Sequence, residues 1–314
     1  MNGLTQIIAH IGYSEHVPQI AEICNPYFAQ TGENAMVVPF ACPEQHYETF
    51  FHHLFLNENI KGAIIAIPYK TVTLDLLGQV SRRVTVAGSC NVVRRGKDGK
   101  MEGEIFEGEG FVRALRTRGF DPQGKSALVL GCGGVGSAVA AALAEAGIKR
   151  LRLYDRDAPR AGTLLRRLQR YHLGLKVESG NNDAHEMDLV VNATPLGSAE
   201  NDPFPTHVAR IMPHALVAEA VLKTVQTPFL QAAAERGCAV QNGMEMVLEQ
   251  IPLYLDYFGL ENDRADTLRN LVTERLHNRA QSDRTAQIPT GLKAEENLSK
   301  EDAVMYLRRG KLKR

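Results

Sequence analysis

Apolar positions along the chain follow two rhythms. From Leu4 to about Gly119, short β-type runs (LTQIIAHIG, NAMVVPF, GAIIAIP, RVTVAGSCNVV) alternate with helical-looking stretches such as residues 43–57, the pattern of a mixed α/β unit. Residues 117–125, TRGFDPQGK, carry turn chemistry in Asp121, Pro122 and Gly124. Beyond them, strand-like segments recur at 127–130, 151–154, 188–192 and 215–221 with helical stretches between several of them, the βαβ rhythm of a doubly wound parallel sheet. MEMVLEQIPLYLDYFG then reads as a helix that Pro252 kinks or breaks, followed by a second helix at about 262–279, both packing back on the first unit. The predicted fold class is α/β. A mixed α/β domain spans 1–116 plus 247–280, the doubly wound domain spans 117–246, and a polar tail spans 281–314. Ser299 is a candidate cap for a short helix in the tail, and five of its last seven residues are basic. A solvated appendage is the expectation there, with an interaction segment as the alternative.

Composition narrows the function. The 36 Lys and Arg residues balance 36 Asp and Glu, so charge gives no reason to expect nucleic acid or an anionic membrane as partner. No run approaches the ~18 apolar residues of a membrane span, and the N-terminus lacks a basic stretch followed by an apolar one, so a cytoplasmic protein is expected. Cys24, Cys42, Cys90, Cys132 and Cys238 are scattered and never spaced as CxxC, and no histidines have HExxH spacing. Neither a disulfide framework nor a metal is predicted. No internal repeat is present.

The strongest chemistry is in LVLGCGGVGSA. Gly131, Gly133 and Gly136 have GxGxxG spacing between an apolar strand and an alanine-rich helix. Gly131 permits the tight turn, Gly133 keeps side-chain bulk away from a pyrophosphate, and Gly136 lets the helix approach the strand. Gly134 and Val135 open the helix, whose N-terminus offers N–H groups and partial positive charge to phosphates. A Rossmann-type dinucleotide site is predicted. Asp155 closes the next strand, where a carboxylate can bond the ribose hydroxyls and repel a 2′-phosphate, which favours NAD. Arg156 beside it suits adenine stacking or a 2′-phosphate, so NADP is the alternative.

With that loop, IPYK (67–70), AGSCNVV (87–93), EGEGF (107–111), VNATPLGS (191–198), TPFLQAAAERG and GMEMVLEQ make the chain resemble the shikimate/quinate dehydrogenase family over roughly residues 4–280. The resemblance implies an N-terminal substrate domain, a C-terminal cofactor domain, and reversible hydride transfer between a ring alcohol and nicotinamide. It implies a catalytic pair of Lys70 and Glu107, the latter where the family has an aspartate. The lysine exchanges a proton with the reacting hydroxyl and the carboxylate orients it. Glu102, Glu104 and Glu109 lie close enough in sequence to compete for the acid's role. Asn91 and Gln250 match residues that reach substrate hydroxyls, while Asn192, Thr194, Gly243 and Met246 match positions near the cofactor. A buried Met is also an ordinary core filler.

The departures cluster on one side of the implied pocket. The family's SxS carboxylate motif has no clear equivalent beyond Ser14, near which His16 also lies. Its NVTxPxK asparagine and threonine are Ile64 and Ala66, and the tyrosine of its DxVYxP stretch is Leu222. A buried carboxylate without donors costs on the order of several kcal/mol. The expected substrate is therefore a shikimate- or quinate-like cyclic alcohol, less polar or differently substituted. The alternatives are a true shikimate or quinate dehydrogenase with an unrecognised carboxylate site, or a non-catalytic dinucleotide sensor using the basic tail. A folate-type dehydrogenase fits less well, since its tyrosine-lysine signature is not evident. A monomer or homodimer is expected.

Overall fold

The computed structural model describes residues 2–13, 18–222, 226–260, 268, 270 and 271, within one unit spanning Met1–Leu276. Its first sheet begins with three parallel strands, β1 (Gln6–Gly12), β2 (Ala35–Ala41) and β3 (Ile60–Ile65), connected by α1 (Pro18–Thr31) and α2 (Tyr47–Leu54). β4 (Gln79–Val80), β5 (Val92–Arg95) and β6 (Met101–Glu104) complete the order β2-β1-β3-β5-β6-β4, with β5 antiparallel to both β3 and β6. Helices α3 (Arg82–Ala87) and α4 (Glu107–Thr117) lie on either side of the β5–β6 hairpin in sequence.

The second sheet is parallel throughout, in the order β12-β11-β10-β7-β8-β9. It contains β7 (Ser126–Leu130), β8 (Arg150–Tyr154), β9 (Lys176–Ser179), β10 (Leu189–Asn192), β11 (Leu216–Glu219) and β12 (Ala239–Gln241), wound with α5 (Gly134–Glu145), α6 (Ala158–Tyr171) and α7 (Pro228–Glu235). Leu128, Val129, Leu130 and residues 189–191 are fully buried because the central strands are covered on both faces, which is why these strands are continuously apolar. The final described helix, α8 (Gly243–Phe258), returns to the first sheet, where Val247, Ile251, Tyr254 and Phe258 share a core with Ile8, Val37, Ile64 and Val92.

Helix α4 fixes the relation between the two sheets. A Cβ on Gly108 would stand 2.1 Å from the Ala138 carbonyl oxygen of α5, and one on Gly110 would stand 2.8 Å from the Met246 carbonyl oxygen of α8. At both glycines of EGEGF, α4 thus approaches a neighbouring helix too closely for a side chain.

The structure revises several expectations. RVTVA, read as strand, is helix α3: the Ser81 hydroxyl accepts from Val84 N–H, Gly88 ends the helix at φ 69°, and Val84 and Val86 are buried. Capping and burial override the β-branched propensity there. Pro252 does not break α8, which runs through it with Ile251 and Leu253 buried on either side. The short polar edge strand β9 and the three-residue β12 were not anticipated from apolar pattern. Most of the expected helix at 262–279, and the whole tail with Ser299, lie outside the described residues, as do Ser14 and His16. No helix among the described residues is long and apolar enough to cross a membrane. Among them, too, no group of three or more His, Cys, Asp and Glu is placed to hold a metal ion.

Candidate active site

Lys70 sits in the loop that leaves the carboxyl end of β3. A backbone bond from Cys90 N–H to the Lys70 carbonyl (2.8 Å) ties the loop down. Behind it, Tyr69 stacks on Tyr47 with centroids 4.0 Å apart, and its hydroxyl donates to the Cys42 carbonyl. The Tyr47 hydroxyl lies 2.6 Å from Thr73 Oγ1, which in turn bonds the Tyr69 carbonyl at 2.6 Å. The lysine thus stands on a rigid aromatic base.

Lys70 Nζ donates to Glu107 Oε1, with side chains 12% and 8% exposed respectively. Glu107 is the first residue of α4, where the helix's partial positive charge suits a carboxylate. Its other oxygen, Oε2, is buried and has no hydrogen-bond partner among the described residues. The competing acids are engaged elsewhere: Glu102 with Arg94 (3.0 Å), Glu104 with Ser81 Oγ (2.6 Å), and Glu109 with Arg83 and Arg113 (2.5 and 2.6 Å). The Lys70–Glu107 pair is thus a half-buried ammonium held by a carboxylate that keeps one oxygen to spare.

The lysine arm lies on the glycine loop. A Cβ on Gly134 would stand 3.5 Å from Lys70 Cδ, and Ser89 Oγ reaches the Gly134 carbonyl at 3.4 Å. Gly131 has φ 92° and Gly133 is the N-cap of α5; a Cβ on Gly133 would meet nothing within 4 Å. Gly136 has no such space, since its Cβ would fall 1.9 Å from the Gly131 carbonyl oxygen. Open space above Gly133, at a helix N-terminus, fits a pyrophosphate. Half-buried Asp155 accepts from Cys132 N–H (2.7 Å) and Asp157 N–H (2.9 Å), tying the end of β8 to the loop, while Arg156 is exposed and Val135 half-buried. Burial, and then the charge of Asp155, push the Cys132 thiol up to about 12, so it stays protonated in the loop.

Asn192 is fully buried and shapes the next loop, accepting from Thr194 N–H (3.0 Å) and Oγ1 (2.7 Å) and donating to the Leu196 carbonyl (2.9 Å). A Cβ on Gly243 would stand 2.4 Å from the Val221 carbonyl oxygen, so this glycine lets α8 start against the chain leaving β11. Met246 is part of the main core. Asn91 and Gln250 are both buried and are linked by a residue the sequence reading did not single out, Tyr254: Asn91 Nδ2 donates to its hydroxyl (2.8 Å), which donates to Gln250 Oε1 (2.7 Å). The available signal was its position, one helical turn after Gln250.

Tyr13 and Ile67, joined by a backbone bond of 3.3 Å, are more than half exposed, Leu222 is exposed, and Ile64 is buried. A surface depression of about 1040 Å³ lies at the opposite ends of β1 and β3, lined by Lys61, Arg94, Glu102 and Tyr257 among others. None of the predicted site residues borders it, and its Arg94 is paired with Glu102 and lies over the Tyr257 ring.

Known proteins resemble this chain along most of its length. The model for the shikimate dehydrogenase substrate binding domain matches residues 12–93, and that for the ThiF family matches 123–168, the glycine-loop segment. The chain is 30% identical over 285 residues to a shikimate dehydrogenase (NADP(+)) of Desulforamulus reducens, covering 88% of this chain and 97% of the relative. Its identity to the enzyme of the same description from Rubrobacter xylanophilus is 33% over 273 residues, covering 85% and 92%. Among solved structures, shikimate 5-dehydrogenase from Listeria monocytogenes, in complex with shikimate and NAD, superimposes with a TM-score of 0.79 at 23% identity, covering 87% of this chain and 98% of that one.

Proposed function

The chain belongs to the shikimate/quinate dehydrogenase family, and on that premise we propose that it catalyses reversible hydride transfer between NAD(P) and a hydroxyl of a shikimate- or quinate-like cyclic alcohol. One observation carries the reading: the buried Lys70–Glu107 pair lies directly on the glycine loop, with Glu107 Oε2 unpartnered. The first sheet with the end of α8 would form the substrate side, and the second sheet the cofactor side. Gly131, Gly133, Gly134, Val135 and Gly136 would hold the pyrophosphate, Asp155 and Arg156 the adenosine end, and Asn192, Thr194 and Gly243 the approach to the nicotinamide.

The nicotinamide supplies the hydride acceptor or donor. This chain's residues handle the proton. In the reducing direction the Lys70 ammonium gives a proton to the substrate oxygen as the carbonyl carbon gains hydride; oxidation of the alcohol runs the same path backwards. Glu107 Oε1 fixes the ammonium, and Oε2 is free to accept a bond from a neighbouring substrate hydroxyl. Asp155 favours NAD, because a carboxylate there disfavours a 2′-phosphate; NADP, the cofactor in the name of both curated relatives, is the alternative. Ile67 and Leu222, apolar and exposed, favour a substrate whose far end is less polar than a carboxylate. Purified protein assayed by nicotinamide absorbance with shikimate, quinate and carboxylate-free cyclic diols, each with NAD⁺ and NADP⁺, tests the reading. Turnover of a cyclic alcohol supports it; turnover of none of them with either nucleotide overturns it.

A further inference from the structure

Tyr254 sits at the centre of a hydrogen-bond chain whose direction is fixed at one end. The chain starts at Phe106 N–H, which can only donate, and which reaches the side-chain amide of Asn91 at 3.0 Å. The Asn91 atom facing it must therefore be Oδ1, which turns Nδ2 toward Tyr254. An amide nitrogen only donates, so the tyrosine oxygen accepts there and spends its single hydrogen on Gln250. The Gln250 atom that receives it must be Oε1. Nε2 is then left facing the other way, buried and without a partner among the described residues.

We propose that Tyr254 is a positioning residue that locks the Gln250 amide in one orientation, so that Gln250 meets the substrate only as a donor and recognises an acceptor oxygen on it. The proposal rests on the reading of this cleft as the substrate site. Three things support it. Asn91, Tyr254 and Gln250 are each 3% exposed or less, so water does not randomise the chain. Gly110 brings α4 against Gln250, whose Cγ would stand 2.6 Å from a Cβ at that position, which fixes the base of the side chain. Burial above all, with the charge of Glu107 second, holds the phenol well above its usual range, so the hydroxyl keeps the proton it donates. An unpartnered buried donor is costly to maintain unless a ligand fills it. Gln250 Nε2 and Glu107 Oε2 are thus one spare donor and one spare acceptor, both buried.

The test compares Tyr254→Phe and Gln250→Glu with the wild type, using as probe whichever of shikimate, quinate and the cyclic diols the wild type turns over fastest, at saturating NAD⁺. Tyr254→Phe keeps the ring in the core and removes only the hydroxyl. It is expected to raise the KM of that alcohol about tenfold, the size of one lost oriented hydrogen bond, with kcat changed less than about threefold and the NAD⁺ KM unmoved. Gln250→Glu, which cannot donate, is expected to raise KM by ~100-fold. A Gln250→Glu enzyme that keeps the wild-type KM, or a Tyr254→Phe enzyme that loses kcat at constant KM, would overturn the proposal. The side-chain amide signals of protein labelled with [¹⁵N]glutamine give a readout free of turnover. The Gln250 pair, assigned by its loss in Gln250→Glu, should shift and broaden in Tyr254→Phe as the amide gains a second orientation, and an unmoved pair would refute the lock. Absence of wild-type turnover with every probe alcohol would count against the functional reading, and the amide spectrum would still decide this one.

Discussion

Replacing Gly108 by alanine tests whether the meeting of α4 and α5 sets the catalytic geometry. The added methyl would stand 2.1 Å from the Ala138 carbonyl oxygen and 2.7 Å from Ala142 Cβ, where ordinary contact begins at 3.4 Å. Both obstacles belong to a packed helix, so neither can rotate away. The helices must part by roughly 1.3 Å at that point, the difference between those two distances. Glu107 is the adjacent residue, and its bond to Lys70 over the glycine loop moves with it. A displacement of about 1 Å at a reacting group costs on the order of 10² in rate. Gly108→Ala is therefore expected to lower kcat ~100-fold while the nucleotide KM changes only a few-fold. Overpacking should also cost about 1–3 kcal/mol, visible as a drop in Tm. Gly174→Ala is the control, since a Cβ there meets nothing within 4 Å. Steady-state nicotinamide absorbance with a thermal melt reads both quantities. A Gly108→Ala enzyme with wild-type kcat and wild-type Tm would refute the argument.

Other outcomes follow from the same geometry. Asp155→Asn keeps one oxygen for Cys132 N–H, gives up the bond from Asp157 N–H and removes the charge, and should raise kcat/KM for NADP relative to NAD about tenfold; an unchanged ratio would show that Asp155 does not select the cofactor. Burial pushes Cys24 and Cys90 up to about 12, as it does Cys132. A raised thiol pKa favours the neutral form, so at pH 8 only ~10⁻⁴ of each is thiolate. Native protein should then react with an aromatic disulfide reagent orders of magnitude more slowly than unfolded protein, and a rapidly reacting thiol would contradict the burial described.

The sequence made the second sheet legible because its information is local. Gly131, Gly133 and Gly136 sit at fixed offsets between an apolar strand and an alanine-rich helix, and each answers a steric demand of one turn. The first sheet was less so. RVTVA has strand-forming residues, yet its caps at Ser81 and Gly88 and the burial of Val84 and Val86 make it a helix. β9 is polar because it is an edge strand, so no apolar run announces it. Lys70 and Glu107 are 37 residues apart and came into view only through resemblance; nothing in their spacing says that α4 carries the acid to the end of β3. Tyr254 shows the limit most clearly. As one aromatic among several apolar residues on α8 it reads as core, and its polar role depends on Asn91, 163 residues away.

The central claim is that Lys70 moves the proton while the glycine loop independently holds the nucleotide. Lys70→Ala should lower kcat at least ~100-fold in the nicotinamide assay and leave NAD⁺ binding, followed by titration calorimetry, within about threefold of wild type. A Lys70→Ala enzyme that turns over within a few-fold of the wild-type rate would contradict the account.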